Sequence, residues 1–125
     1  MKTNRKGLSR ILYAFKYSYE GFLATFKSEA AFRQDLLVCL ILAPIAILLN
    51  INVLEKIFLI STLFFVLFAE LVNTAIEMVI DRISNEIHPL SKIAKEIGSC
   101  LVLLSFCYLI TVWGVILYPI IKIYL

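Results

Sequence analysis

The chain is 125 residues long with a formal net charge of +3, and its 62% hydrophobic content and mean hydropathy of +0.94 lie well beyond the roughly 45–50% apolar content of ordinary soluble domains. Those values exclude a water-soluble globular domain, point to a single membrane-embedded domain, and imply no nucleic-acid partner. Cys39, Cys100 and Cys107 lie in apolar runs without CxxC or Cys/His spacing, so they imply neither a metal site nor a disulfide. Gly7, Gly21, Gly98 and Gly114 are isolated, so neither GxxxxGK[ST] nor GxGxxG is present to cradle a phosphate.

From Leu8 to Phe26 the apolar positions are Leu8, Ile11, Leu12, Phe15, Tyr19, Phe22, Leu23 and Phe26, a spacing that a 3.6-residue period gathers into one stripe. Lys16, Glu20 and Lys27 take the other side. Charges interrupt the segment too often for it to span. They also argue against a cleavable signal peptide, despite the basic start at Lys2, Arg5 and Lys6. The pattern predicts a helix lying in the headgroup layer, within a cytoplasmic surface region over residues 1–35.

Leu36 to Leu54 is uncharged and long enough to cross the hydrocarbon core, with Pro44 tolerated inside and Asn50 and Asn52 marking the exit. Glu55 and Lys56 are expected to form a short turn. Residues 57–80 then return across the bilayer, 81–96 form a polar loop around His88-Pro89, and 97–121 make the third span, closed by Lys122. Lys2, Arg5, Lys6, Arg10, Lys16, Lys27 and Arg33 precede the first span, and Arg82, Lys92 and Lys95 sit in the 81–96 loop. Only Lys56 and Lys122 lie on the opposite side. The positive-inside rule therefore predicts a cytoplasmic N-terminus and 81–96 loop, and an external C-terminus.

Glu70, Asn73, Thr74, Glu77 and Asp81 interrupt or close the second span, and at about 100° per residue they fall within an arc of roughly 100°. They form a single polar stripe. A carboxylate near the middle of a span costs on the order of 3 kcal/mol, so such groups are functional by default. Phosphoryl transfer needs a positioned nucleophile, a base, a divalent metal and cationic donors. Carboxylates suit Mg²⁺, and Lys95, Arg82 or Arg10 can supply the donors.

The stretch from Ala69, AELVNTAIEMVIDRISNEIHPLSKIAKEIGS, together with EAAFRQD at Glu29 to Asp35, resembles the signature of the small integral-membrane diacylglycerol kinases of bacteria. The likeness extends over nearly the whole chain. Related undecaprenol kinases share ELxNTAIE and HPLxKxAK and are the main alternative, whereas EAAFRQ, the DRI after the stripe and EIGS favour the diacylglycerol enzymes. The resemblance implies an all-α homotrimer of the bacterial inner membrane, with shared active sites, which transfers the γ-phosphoryl of MgATP to diacylglycerol. It implies that Glu70 is the catalytic base, that Glu29 and Glu77 hold Mg²⁺, and that Arg10, Tyr17, Glu86, Ile87, His88, Lys95 and Glu96 join those two glutamates in binding nucleotide. Arg10, Ala31, Phe32, Arg33, Gln34, Asp35, Lys56, Glu70 and Ser99 would meet the lipid, with Asn73 and Asp81 in support. Lys56 stands where the family has Arg, and Asp35 and Glu96 exchange acid lengths.

Each of these residues also has a plainer reading. Asn73 and Thr74 could be interhelical hydrogen-bond glue, Glu29 could pair with Arg33 four residues on, and His88 could be an ordinary loop residue. Trp113, Tyr108, Tyr118 and Tyr124 read as interfacial anchors or lipid-facing bulk. A proton-coupled transporter working through Glu70 is a different functional class with the same embedded carboxylate.

Overall fold

The computed structural model describes residues 6–125, so Lys2 and Arg5 of the basic start lie outside the described residues. Four helices follow one another among them: α1 (Leu8–Ser28), α2 (Ala30–Leu48), α3 (Val53–Ile83) and α4 (Pro89–Tyr124). The last three are long and apolar enough to cross a membrane. α3 is the central element, in contact with each of the other three and most extensively with α4.

Helix α1 ends where Glu29 turns extended (φ −115°, ψ 110°), and α2 starts at the next residue. The side chain of Arg33 closes this corner, its Nη1 donating to the Phe26 carbonyl at 2.7 Å and to Lys27 at 3.2 Å. These carbonyls belong to the last turn of α1 and lack helical partners. The side chain of Arg33 is therefore engaged as a cap and not in an ion pair with Glu29, whose carbonyl accepts from the Arg33 N–H at 3.3 Å. Phe22 meets Phe32 edge-on across the corner, centroids 5.2 Å apart. Leu8, Ile11, Leu12 and Phe15 remain more than half exposed, so the apolar stripe of α1 is not buried within this chain.

The helix ends differ from those read off the sequence. The apolar run expected to continue to Leu54 breaks after Leu48, and the turn lies at residues 49–52 instead of at Glu55 and Lys56. The cause is a capping box: Asn52 Oδ1 accepts from the Glu55 N–H at 2.8 Å, and Glu55 Oε1 accepts from the Asn52 N–H at 3.4 Å. Lys56, in the first turn of α3, reaches back to donate to the Ile47 carbonyl at 2.6 Å, capping α2. The expected 81–96 loop contracts likewise to residues 84–88. Charges do not end a helix by themselves. α4 starts early because Pro89 suits a first helical position, and His88 Nδ1 accepts from the Leu90 N–H at 3.1 Å. At 1.5 Å per residue α3 is about 46 Å long and α4 about 54 Å, both longer than the roughly 30 Å hydrocarbon core.

The core joins α2, α3 and α4 through Cys39, Ala46, Leu59, Leu63 and Trp113. Trp113 is only 6% exposed and donates from Nε1 to Thr62 Oγ1 at 2.9 Å, while the Thr62 hydroxyl donates to the Leu59 carbonyl at 2.6 Å. The interfacial reading of this tryptophan is thus corrected: its indole N–H finds a partner inside the bundle, and the ring fills the space around it. Tyr118 and Tyr124 do face outward.

Candidate functional site

The polar stripe on α3 is graded. Glu70 is 6% exposed and Thr74 3% exposed, Asn73 and Glu77 are half-buried, and Asp81 is exposed. Over the roughly 16 Å that separate Glu70 from Asp81 along the helix, the stripe runs from the packed interior to the open end beside residues 84–88. Carboxylates with this gradient link a dry depth to water.

Asp35 comes down from α2 onto the deep end of the stripe. It is 8% exposed and faces Glu70, one of its oxygens, Oδ2, being buried without a hydrogen-bond partner. Glu29, at the α1–α2 corner, and Glu77, two turns further along α3, are also close enough for their charges to act on Glu70. Four acidic side chains thus converge from two helices and a corner. No group of three or more His, Cys, Asp or Glu among the described residues is drawn tightly enough to hold a metal ion. Two carboxylates of one chain can contribute ligands to a magnesium–triphosphate complex, in which phosphate oxygens and waters supply the remainder.

At the exposed end, residues 84–88 and the facing turns of α3 and α4 enclose a cleft of about 270 Å³. Its walls include Asp81, Glu86, Ile87, His88, Lys92 and Lys95. Lys95 Nζ is anchored on Asp81 Oδ1 at 2.8 Å, and Lys92 lies 3.4 Å from Glu96. This brings together the predicted nucleotide residues of that region. Lys92, the first lysine of HPLxKxAK and given no role by the resemblance, lines the cleft with them.

Other predicted residues are more scattered. Arg10 is exposed in the first turn of α1, and Tyr17 is exposed with its ring 6.1 Å from that of Tyr13. Ala31, Gln34 and Ser99 are exposed, whereas Phe32 is fully buried against the edge of Phe22. Lys56 lies at the opposite end of α3 from the cleft, about 21 Å from Glu70 along the helix, engaged with the Ile47 carbonyl. An apolar groove of about 710 Å³ runs along α3 between Phe22 and the Ser61–Leu71 stretch, with Leu67, Phe68 and Leu71 flanking Glu70 in sequence.

Residues 16–117 match the family model described as prokaryotic diacylglycerol kinase. The chain is 45% identical over 111 residues to a diacylglycerol kinase of Pseudomonas aeruginosa, covering 89% of this chain and 90% of the relative. It is 40% identical over 112 residues to that of Haemophilus influenzae, covering 90% and 95%. With the diacylglycerol kinase of Escherichia coli strain K12 it shares 38% over 118 residues, covering 94% and 97%.

Proposed function

The chain belongs to the prokaryotic diacylglycerol kinase family, and from that premise we propose that it transfers the γ-phosphoryl of ATP to the free hydroxyl of diacylglycerol, giving phosphatidic acid and ADP. The observation that carries the reading is Glu70: a carboxylate 6% exposed on an apolar helix, at the deep end of a stripe that opens onto a cleft with two lysines. A greasy alcohol and a triphosphate can meet only at such a boundary. The apolar groove along α3 suits acyl chains, and the relatives named above are diacylglycerol kinases and not polyprenol kinases. A secondary transporter would use Glu70 alone and leave the cleft without a role.

In this reading the lipid hydroxyl oxygen attacks the γ-phosphorus in line with the β,γ-bridging oxygen. Glu70 accepts the hydroxyl proton, the bridging P–O bond breaks, and its electron pair leaves with ADP. The neighbouring Asp35 orients the acceptor, with the exposed Ala31, Gln34 and Ser99 toward the lipid. Arg10, Tyr17, Glu86, Ile87, His88, Lys95 and Glu96 hold the nucleotide, and Asp81 steadies Lys95 through their 2.8 Å contact. Glu29 and Glu77 would hold Mg²⁺, whose chemistry is to screen the charge of the triphosphate. The family site is shared in a homotrimer of the inner membrane. The outward apolar residues of α4, among them Leu103, Leu104, Ile110 and Val115, each more than half exposed, support burial against lipid or further copies. The cytoplasmic N-terminus and external C-terminus follow from the distribution of lysine and arginine.

The test is transfer of label from γ-labelled ATP by purified protein in mixed micelles, with diacylglycerol and undecaprenol offered in parallel. Label is expected in phosphatidic acid. Glu70→Gln should lose at least about 100-fold in turnover, the scale of a general base, while MgATP binding stays measurable. Equal label in the polyprenol product, or wild-type turnover by Glu70→Gln, would overturn the assignment.

A further inference from the structure

We infer that Gly98 is a positioning residue for nucleotide binding: its missing side chain is the recess that holds Asn73 in the one orientation that steadies Glu77. Gly98 is buried in α4 where that helix crosses the polar stripe. A Cβ added there would collide with Asn73 Oδ1 and stand 3.2 Å from Asn73 Cγ, yet lie 3.7 Å from Asn73 Cα. The last separation is ordinary van der Waals contact, so the two backbones have room for a methyl group. The Asn73 amide does not.

That amide is planar and moves as one body. Its Nδ2 donates to Glu77 Oε1 at 3.4 Å, while its Oδ1 is buried without a hydrogen-bond partner. Asn73 thus leaves its acceptor unused against α4 and spends its donor on the glutamate. Pushing Oδ1 off Gly98 swings Nδ2 as well, and Glu77 loses its tether. This inference rests on the nucleotide role of Glu77 proposed above.

The experiment measures KM for MgATP, kcat and thermal unfolding for Gly98→Ala, Asn73→Ala, the double variant and Glu77→Gln in detergent-solubilised full-length protein. Gly98→Ala should raise KM for MgATP about tenfold, the scale of one hydrogen bond to a charged group, with kcat within about threefold. Its unfolding temperature should not fall, because alanine favours a helix over glycine. A purely structural role would lower stability together with activity. In the Asn73→Ala background, where no amide overlies α4, adding Gly98→Ala should raise KM no further. An unchanged KM in Gly98→Ala, an equal rise in both backgrounds, or a failure of Gly98→Ala to fold overturns the inference. If Glu77→Gln raises KM and Gly98→Ala does not, this inference alone fails; if Glu77→Gln leaves KM unchanged, the nucleotide role falls and this inference with it.

Discussion

Replacing Thr62 by valine keeps the shape of the side chain and removes the acceptor for the Trp113 indole. In the wild-type chain Thr62 is fully buried and Trp113 is 6% exposed, with the bond between them 2.9 Å long. Thr62 has no exposed surface at which water could replace this bond. An orphaned buried donor costs about 1–3 kcal/mol in soluble proteins, but interhelical hydrogen bonds in membranes average nearer 0.6 kcal/mol, because the unfolded state in lipid also finds partners. The burial here favours the upper part of the membrane range, so the expected coupling is about 1 kcal/mol. Trp113→Phe removes the donor without leaving an orphan and instead opens a small cavity in the cluster of Cys39, Ala46, Leu59 and Leu63. A double-mutant cycle of Thr62→Val and Trp113→Phe, read by reversible unfolding in mixed micelles, isolates the bond from the cavity. A coupling under about 0.3 kcal/mol, within the usual additivity error, would show that the contact does not join α3 to α4.

Two further outcomes test how the ends of the bundle are held. Lys56→Met frees the Ile47 carbonyl that Lys56 caps at 2.6 Å, and should lower stability by about 1 kcal/mol, measured by the same unfolding assay, with Lys56→Arg recovering most of the loss. Asp81→Asn removes the charge that anchors Lys95, but both side chains are about half exposed, at 61% and 45%, so stability should change by less than about 1 kcal/mol. The KM for MgATP should nevertheless rise several-fold, because Lys95 loses its fixed position in the cleft. A large drop in unfolding temperature with unchanged KM would contradict this.

Hydropathy and helical period alone identify a helical membrane protein and place Glu70, Asn73, Thr74, Glu77 and Asp81 on one face of one helix. These are properties of a single segment and its solvent, so no neighbour is needed to read them. The helix ends were partly legible. Asn52 and Glu55 have the spacing of a capping box, but an apolar run long enough to span masks it, and the charges of 81–96 suggest a break where α3 in fact runs to Ile83 and α4 already starts at Pro89. The contacts between helices were not legible. That Asp35 faces Glu70, that Trp113 finds Thr62 inside the bundle, and that Asn73 lies over Gly98 depend on how far α2 and α4 slide and rotate against α3. That register is decided by the fit of side chains from separate segments, because lipid is as apolar as the helices and hydrophobicity does not favour one apolar face over another.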